Sequence, residues 1–367
     1  MLLLSNADVE RVLTIRDCLA KIERVYGELA IGNAVGIPRI DMYTPSDRTD
    51  APFHRWGVMA GASRGSGYAC ARIKSDMVAW PLVGGRRRET KWASEPGTYC
   101  GLIFLYSTHT GEPLAIIPDG VAQHLRVGAA AGLGAKCLAR ADAAVVGMIG
   151  SGGMARSYLA AFRAIRPVRQ VKVYSPTAAN REAYAREMAE LHEIEVVAVS
   201  DARDAVTGAD IVALCVSALD PVFETAWLEP GMHVTDVTRA STRADFPSAV
   251  DRAFWHGNPT PLLDPLPPDA MYARGGYLSW VAGGPAAMAE IPQMPPNPEL
   301  LRLPTIADLL AGRVPGRTSD RETTFFHNIG NVGAQFVAVS GLAYEAALAA
   351  GVGLEIPTDW FLEDVRD

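Results

Sequence analysis

The sequence predicts an α/β protein built from two domains, and three observations support that fold class. The chain has 367 residues, which exceeds the usual size of a single domain. Apolar β-like segments alternate with helical segments over residues 143–237, a rhythm that predicts a parallel sheet. Short β-like segments without intervening helices fill residues 36–117, and they favour a mostly antiparallel sheet.

The composition is that of an ordinary globular protein, with 49% hydrophobic residues, 20% charged residues and a net charge of −7. This diffuse acidic excess gives no reason to expect binding to nucleic acid or to an anionic membrane. No apolar run reaches the roughly 18–20 residues that span a bilayer, and the N-terminus lacks the basic segment of a signal peptide. The five cysteines show neither a C-x-x-C pair nor metal-ligand spacing. We therefore expect a cytoplasmic protein without a metal.

The first part of the chain predicts one helix followed by short strands. Apolar residues at three- and four-residue spacings predict the helix over residues 6–32. The predicted strands cover residues 36–42, 56–62, 68–78, 101–106 and 114–117. The segment 84–96, with three consecutive arginines, is interpreted as a loop with a solvated basic face.

The middle of the chain alternates between helices and strands. A helix rich in small residues over 121–140 leads into a strand at 143–149. The later predicted strands are 170–174, 195–199, 209–216 and 232–237, with a candidate at 253–255, and the helices are 157–165, 178–191 and 202–208. This order is typical of a right-handed parallel sheet.

The last part of the chain begins with a stretch rich in proline and glycine, residues 259–304. It is too long for an ordinary connection and is interpreted as a lid or an irregular excursion. A short helix at 305–312 and a long apolar helix at 330–351, expected in the core or at an interface, follow. The predicted domains are 1–125 together with 322–367, and 126–321.

The most informative motif is the glycine-rich turn Gly150-x-Gly152-x-x-Ala155, which follows an apolar strand and precedes a helix. The first glycine permits a tight turn, the second lets the backbone approach a pyrophosphate, and the small third residue allows close helix–strand packing. The helix N-terminus offers N–H groups to the anion. The motif predicts a Rossmann dinucleotide-binding domain whose cofactor contacts include Gly150, Ser151, Gly152, Gly153 and Met154.

The end of the second strand of this domain bears on the choice of cofactor. NAD-binding sites usually place Asp or Glu there to hold the ribose 2′-OH. This chain instead has Ser175 and Thr177, with Arg181 following, a set that suits a 2′-phosphate. NADP(H) is therefore favoured and NAD(H) stays possible. The alternative is that Ser175 merely begins a turn and Arg181 is a surface residue.

Three cations lie in otherwise apolar or small-residue surroundings: Arg39, Lys74 and Arg126. Charges rarely occupy such positions unless they are paired or line a cleft. A substrate that bears a carboxylate would suit the trio, because Arg recognises carboxylates in a bidentate manner and Lys supplies a mobile charge. Structural ion pairs or a solvated face are the alternatives.

Four histidines are candidates for chemistry: His54, His124, His233 and His327. A lone histidine more often has a structural role, but His327 precedes a helix and could donate a proton near the nicotinamide. Helix capping explains its surroundings equally well. The sequence contains no zinc-protease helix and no phosphate-binding loop, so zinc-protease and kinase functions have no residues to support them.

Taken together, the ordered motifs resemble those of the ornithine cyclodeaminase/mu-crystallin family over nearly the whole chain. The matching segments are Leu2-Leu3-Leu4-Ser5-x-x-Asp8-Val9, Leu125-Arg126-Val127-Gly128-Ala129-Ala130, the turn at 150–155, Ala209-Asp210-Ile211-Val212 with Ser217-x-x-x-Pro221-Val222, Gly312-x-x-Pro315-Gly316-Arg317, and Thr324-x-Phe326 to Gly330. The resemblance implies a Rossmann domain plus an α+β substrate and dimerisation domain completed by the C-terminal helix, and hence a homodimer.

The resemblance also implies roles for individual residues. Arg39, Lys74 and Arg126 match positions that hold the substrate carboxylate or line the active site. The implied cofactor contacts are Arg126, Val127, Ser151, Gly152, Ser175, Thr177, Arg181, Ser217 and Asn328. Members of the mu-crystallin type use NADPH, in agreement with the charges near Ser175.

Two departures from the family pattern affect the expected reaction. Ala240 occupies the position of the catalytic aspartate of cyclodeaminases, and the usual Phe-Lys-Ser is Phe326-His327-Asn328. These changes favour reduction of the C=N bond of a small imino acid, or the reverse oxidation of an amino acid. Lys74 would then polarise the reacting nitrogen or carboxylate, and His327 or Asp236 would supply the proton. The alternatives are cyclisation of ornithine with loss of ammonia, and a protein that binds NADPH without turnover.

Overall fold

The structure is a computed structural model that describes residues 1–83, 86–238, 240–273 and 276–364. Its helices are α1 (Asn6–Val12), α2 (Ile15–Ala30), α3 (Asp119–Leu138), α4 (Gly153–Ile165), α5 (Ala178–His192), α6 (Ala202–Val206), α7 (Gly284–Glu290), α8 (Pro298–Leu301), α9 (Ile306–Leu310) and α10 (Val332–Ala350). Its strands are β1 (Leu2–Leu3), β2 (Ala34–Gly36), β3 (Ile40–Pro45), β4 (Phe53–Ser63), β5 (Tyr68–Ala79), β6 (Leu82–Val83), β7 (Arg86–Arg87), β8 (Thr90–Trp92), β9 (Cys100–Ser107), β10 (Pro113–Pro118), β11 (Val145–Ile149), β12 (Gln170–Tyr174), β13 (Glu195–Ala198), β14 (Ile211–Leu214), β15 (His233–Asp236), β16 (Arg252–Trp255), β17 (Ala270–Ala273), β18 (Tyr277–Val281), β19 (Thr324–His327) and β20 (Leu354–Glu355).

Two large sheets organise the described part of the chain. The first has the strand order β17-β18-β3-β4-β5-β9-β10-β1-β20, with β2 beside β4 and β8 beside β5. It is antiparallel except where β18 meets β3 and β1 meets β10. The second has the order β13-β12-β11-β14-β15-β19-β16, and its neighbouring strands are all parallel. The predicted fold class, a Rossmann domain plus a second α+β domain, is confirmed.

The strand pairing departs from the predicted domain limits at two places. Strands β17 and β18, predicted to belong to the second domain, extend the first sheet, and β19, predicted to belong to the first domain, lies within the second sheet. The physical cause for β17 and β18 is burial, because Met271 and Val281 pack against Tyr43 and Phe53. Residue spacing along the chain carries no signal for such long-range pairing.

Local elements differ from expectation where caps and turns interrupt them. The helix predicted over 6–32 is two helices, because the Thr14 side chain accepts a hydrogen bond from the Asp17 N–H and begins α2. The stretch 259–304 contains β17, β18, α7 and α8 rather than only irregular chain. The segment predicted as a loop at 84–96 contains parts of a short hairpin, with residues 84 and 85 outside the described ranges.

Helices α2, α3 and α10 fill the space between the two sheets and build the main core. The small residues of α3 have a packing cause, since a Cβ on Gly128 would lie 2.5 Å from the carbonyl oxygen of Ser157 on α4. Close approach of α3 to α4 therefore ties the first sheet's helices to the Rossmann turn. This contact places side chains of α3 and α10 beside the dinucleotide-binding edge.

Helix α10 is long and apolar enough to cross a membrane by length and composition alone. The expectation that no such run exists is therefore wrong. In the fold, 61% of the apolar 18-residue segment of this helix is buried. The helix packs on β4, β5, α2 and α3. Its hydrophobicity is explained by its place in the core.

Candidate active site

The predicted dinucleotide turn lies at the carboxyl edge of the parallel sheet. Gly150 has a φ of +112° and donates its N–H to the Tyr174 carbonyl oxygen at 2.7 Å, and a Cβ there would collide with the carbonyl of Cys215. Gly152 is the N-cap of α4, with no side-chain cap, and a Cβ on it would meet no atom within 4 Å. The open N-terminus of a 13-residue helix can accept a pyrophosphate, so the turn fits a dinucleotide.

The end of β12 places Ser175 against this turn. The Ser151 and Ser175 hydroxyl oxygens are 3.0 Å apart, and Arg181 Nη1 donates to the Ser175 carbonyl oxygen at 3.0 Å. Thr177, the exposed N-cap of α5, makes no side-chain cap bond. The three residues that sequence analysis assigned to ribose recognition are thus brought together, with the Arg181 guanidinium beside Ser175 and no carboxylate at positions 175–177.

The other predicted cofactor contacts lie along the same edge. The Asn328 side chain donates through Nδ2 to the Val127 carbonyl oxygen at 3.0 Å and to the Tyr158 hydroxyl at 2.6 Å. Ser217 is exposed in the segment after β14. Its neighbour Ala218 forms an isolated bridge with Arg88, so the segment after β7 contacts the cofactor domain.

Asp236 and His327 end two adjacent parallel strands and form a buried pair. His327 Nδ1 lies 2.9 Å from Asp236 Oδ1 and 3.0 Å from Oδ2, and the Ser241 hydroxyl donates to Oδ2 at 3.2 Å. Because the carboxylate accepts, His327 Nδ1 carries a proton. His327 Nε2 is buried and has no hydrogen-bond partner among the described residues. A carboxylate-supported imidazole with its second nitrogen unpaired can hold and deliver a proton.

Lys74 lies on the inner face of the first sheet, between two glycines. In the strand register it is paired with Gly57 on β4 and Gly101 on β9. A Cβ on Gly57 would lie 2.5 Å from Asp41 Oδ1 and 3.3 Å from Arg39 Nη2. The two glycines therefore leave a hollow around the lysine into which neighbouring charged side chains extend.

The environment of Lys74 disfavours its charged form. Its ammonium lies 3.3 Å from Asp76 Oδ1. Burial lowers the pKa of Lys74, and the nearby charges of Arg72 and Arg39 add to this effect against the opposing charge of Asp76. Although burial alone would raise it, the pKa of Asp76 is held below its usual value by Arg55 and Lys74.

The Arg39 guanidinium bonds a carboxylate of the adjacent strand β3 through one nitrogen. Its Nε donates to Asp41 Oδ1 at 2.8 Å, whereas its buried Nη2 has no hydrogen-bond partner among the described residues. The guanidinium lies 5.0 Å from the ring centroid of Tyr277 on β18. The proline-rich stretch thus places Tyr277 against the cationic cluster. Sequence analysis missed this contact, because the pairing of β18 with β3 has no local signal.

Arg126 is a buried cation held only by neutral groups. Its Nη1 donates to Gln335 Oε1 at 2.8 Å, its Nη2 donates to Gln123 Oε1 at 2.9 Å, and the guanidinium lies 5.1 Å from the Phe336 ring. Among the described residues, no carboxylate lies within ion-pair distance of it. Burial, together with the charge of Arg72, lowers the pKa of Arg126 to about 10. A buried cation without an anion is unfavourable, so this position favours binding of an anionic ligand.

Other arginines of the region are already neutralised. Arg55 pairs with Asp76 at 2.8 Å and with Glu89 at 3.0 Å, and Arg72 pairs with Asp119. Unlike Arg55 and Arg72, Arg126 and the Nη2 group of Arg39 are available to a ligand carboxylate.

His124 links the cationic cluster to the dinucleotide turn. A Cβ on Gly153 would lie 2.7 Å from His124 Nε2. Burial lowers the pKa of His124, and the charges of Arg126 and Lys74 act in the same direction while that of Asp119 opposes them. Sequence analysis named this histidine without assigning it to the site. The structure places it between the predicted cofactor and substrate groups.

Comparisons with known proteins identify the family of the chain. The model of the ornithine cyclodeaminase/mu-crystallin family matches residues 2–245. The chain is 28% identical over 265 residues to Δ1-pyrroline-2-carboxylate reductase from Bacillus cereus, with 71% of this chain and 74% of that protein covered. It is 26% identical over 367 residues to alanine dehydrogenase from Archaeoglobus fulgidus, covering 97% and 98% of the two chains.

A solved structure shows the same fold. Thermococcus litoralis Δ1-pyrroline-2-carboxylate reductase, in complex with NADH and L-proline, superposes with a TM-score of 0.75 at 24% identity, covering 97% of this chain and 100% of that one. The family model matches two-thirds of the sequence. The chain belongs to the ornithine cyclodeaminase/mu-crystallin family.

Proposed function

We propose that this NAD(P)-dependent oxidoreductase reduces the C=N bond of a small imino acid, or in reverse oxidises the corresponding amino acid. The observation on which the proposal depends is Arg126, a buried guanidinium without a carboxylate partner among the described residues. An imino acid brings a carboxylate to that cation. The Bacillus cereus and Thermococcus litoralis relatives are named as reductases of such a compound.

Each side chain of the site has a separate role in the proposed reaction. Arg126 and Arg39 bind the carboxylate of the imino acid, and Lys74 donates a hydrogen bond to the carboxylate or to the reacting nitrogen. When bound, the nicotinamide supplies a hydride to the carbon of the C=N bond. The π electrons of that bond move to nitrogen, which takes a proton from His327 Nε2. Asp236 accepts the hydrogen bond from His327 Nδ1 and holds the imidazole in place for the transfer.

We further propose that the preferred cofactor is NADP(H). The support is the placement of Arg181 against Ser175, with two hydroxyl groups and no carboxylate at positions 175–177. A 2′-phosphate gains charge-assisted hydrogen bonds there. NAD(H) remains compatible with the same turn at lower affinity, since the pyrophosphate contacts are shared.

We propose a homodimer that forms through the outer face of the first sheet. The face opposite Lys74 presents cross-strand rows of mainly apolar residues: Ile40, Val58, Ile73 and Leu102 in one row, and Ala60, Ala71 and Phe104 in the next. Leu102 is 37% exposed and Tyr106 is 38% exposed. A contiguous apolar sheet face is typical of an interface. A cytoplasmic location is also proposed, consistent with five free cysteines.

An oxidation assay tests the proposed reaction. NADPH consumption is followed with Δ1-pyrroline-2-carboxylate and with 2-oxo acids mixed with ammonia or methylamine. Ornithine plus NAD is assayed in parallel for release of ammonia. Consumption with an imino acid is the expected result. Release of ammonia from ornithine alone would instead support cyclodeamination despite Ala240, and stoichiometric NADPH binding without turnover would support a binding role.

A further inference from the structure

A line of buried polar side chains joins the cationic cluster to the Asp236–His327 pair. Its members come from α2, α3, α4, α10 and the segments after β16 and β19. The successive hydrogen bonds are Arg126 Nη1 to Gln335 Oε1 at 2.8 Å, Gln335 Nε2 to the Tyr26 hydroxyl at 2.8 Å, the Tyr26 hydroxyl to His256 Nδ1 at 2.5 Å, His256 Nε2 to Asn328 Oδ1 at 2.5 Å, Asn328 Nδ2 to the Tyr158 hydroxyl at 2.6 Å, and the Tyr158 hydroxyl to the Asp236 carbonyl oxygen at 3.0 Å.

The direction of every bond follows from the groups at its two ends. Asn328 Nδ2 faces the Val127 carbonyl oxygen, which can only accept, so Asn328 Oδ1 faces His256. His256 Nε2 must then donate, and Nδ1 must accept from the Tyr26 hydroxyl. From the other end, Arg126 can only donate, which orients the Gln335 amide toward the same Tyr26 oxygen. The two derivations agree, and all six bonds run from Arg126 toward Asp236.

This line of side chains is buried and closely packed. Tyr26, His256 and Gln335 are fully buried, and the Tyr26 and His256 rings stack with centroids 5.1 Å apart. The Phe326 ring meets His256 edge-on at 4.8 Å. Burial lowers the pKa of His256 to about 3, so its donor and acceptor nitrogens keep their roles at neutral pH.

We propose that Tyr26 and His256 are positioning residues: the Tyr26 hydroxyl, held by His256 Nδ1, orients Gln335 and Arg126 on the substrate side, and His256 Nε2 orients Asn328 on the cofactor side. This inference rests on the proposed function, because it assigns Arg126 to the carboxylate and Asn328 to the dinucleotide. Tyr26 and His256 are fully buried and act through the side chains that they bond. Each half of the line depends on its own hydrogen bond of His256, so that Arg126 loses its orientation without the Tyr26–His256 bond and Asn328 loses its orientation without the Nε2 donor.

Three substitutions distinguish the Arg126 side of this line from the Asn328 side. Tyr26→Phe removes the central hydroxyl. His256→Gln keeps a donor near the Nε2 position for Asn328 and removes the acceptor for Tyr26, whereas His256→Asn keeps an acceptor near the Nδ1 position and removes the donor for Asn328. Ser340→Ala is the control, because it deletes a buried hydroxyl of α10 that donates to the Phe336 carbonyl oxygen and lies outside the line of six hydrogen bonds. Unfolding in urea shows which variants are folded.

The expected result is a split between two affinities. Tyr26→Phe and His256→Gln raise KM for the imino acid by about tenfold, the scale of one hydrogen bond to a charged group, and leave the Kd for NADPH within about twofold. His256→Asn raises the Kd for NADPH by about tenfold. The double variant Tyr26→Phe/His256→Gln raises KM for the imino acid no more than either single variant does. Ser340→Ala changes neither quantity.

Equal effects of the three variants on both ligands, or effects that track stability alone, would overturn the inference. The Kd for NADPH is measured without turnover and therefore separates this inference from the proposed reaction. An enzyme inactive on every imino acid would refute the reaction. The positioning roles would then be decided by whether His256→Asn raises the Kd for NADPH while Tyr26→Phe does not.

Discussion

Asp236 and His327 end neighbouring parallel strands in register, and the imidazole Nδ1 of His327 lies 2.9 Å from the carboxylate of Asp236. The two residues are 91 positions apart in the chain. Their pairing fixes the imidazole tautomer and leaves Nε2 as the nitrogen that can exchange a proton. This edge of the sheet is also the edge at which the Gly150 turn ends.

Removal of either member of this pair is expected to lower kcat. We expect Asp236→Asn and His327→Gln each to lower kcat by about 10²- to 10⁴-fold, the usual contribution of a positioned acid or base, with little change in the Kd for NADPH. Steady-state kinetics and a cofactor titration measure the two effects. Asp142→Asn, at an exposed carboxylate, is the control, and full turnover by Asp236→Asn would assign the proton to another group.

Arg126 and Arg72 provide a matched test of a buried cation with and without an anion. Arg126→Met should raise KM for the imino acid by at least about a hundredfold. It should not lower the free energy of unfolding, because the lost charge has no carboxylate partner among the described residues. Arg72→Met should lower the free energy of unfolding by about 3–5 kcal/mol, because it leaves Asp119 buried and unpaired. Urea unfolding of both variants decides this, and equal losses of stability would contradict it.

The segment after β12 is expected to determine cofactor preference. Arg181→Ala should lower kcat/KM with NADPH by about tenfold and leave kcat/KM with NADH nearly unchanged, because only NADPH carries the 2′-phosphate. Ser175→Asp should reverse the preference by repelling that phosphate and accepting hydrogen bonds from the ribose hydroxyls. Initial rates with both cofactors measure the ratio. A wild-type enzyme that prefers NADH would exclude this role for Arg181.

The outer face of the first sheet is expected to hold two copies together. Leu102→Glu introduces a charge into an apolar row on that face, and burial of an unpaired carboxylate opposes association. We expect the variant to elute as a monomer in size-exclusion chromatography with light scattering, whereas the wild-type protein elutes as a dimer. Ile31→Glu, at a 70% exposed position after α2, should leave the dimer intact. A variant dimer at Leu102 would place the interface elsewhere.

Two buried histidines are expected to make the protein sensitive to acid. Burial lowers the pKa of His233 and of His256 to about 3 each. The folded protein therefore keeps both neutral, while the unfolded chain binds protons below the ordinary value of 6.5. Stability is complete above that value and falls as the pH drops below it. Between pH 7 and about pH 5.5 the free energy of unfolding should fall by about 1 kcal/mol per histidine.

Urea unfolding at the two pH values checks this expectation. The variant His233→Asn retains only one of the two histidines and should lose about half as much stability as the wild-type protein over the same interval. An identical loss in both proteins would show that other groups cause the acid sensitivity.

Much of the site was predictable because local patterns specify it. The Gly150 turn and the residues after β12 were identified from spacing, since a dinucleotide contacts backbone at a strand end and the next strand lies beside it. Arg39, Lys74 and Arg126 were identified because charges in apolar segments are costly unless they serve a purpose. His327 and Asp236 were named as alternative proton donors, whereas the structure makes them one hydrogen-bonded pair.

The sequence by itself determined the α/β class, the Rossmann turn and the candidate charges, because each depends on residues close together in the chain. Only the tertiary structure decided which charges are neutralised: Arg72 pairs with Asp119, whereas Arg126 bonds the side-chain amides of Gln335 and Gln123 and pairs with no carboxylate among the described residues. It alone brought Tyr277 to Arg39 and Tyr26 to His256. These contacts depend on strand pairing and helix packing between segments that are distant in the sequence. Their energies depend on burial, which exists only in the folded chain.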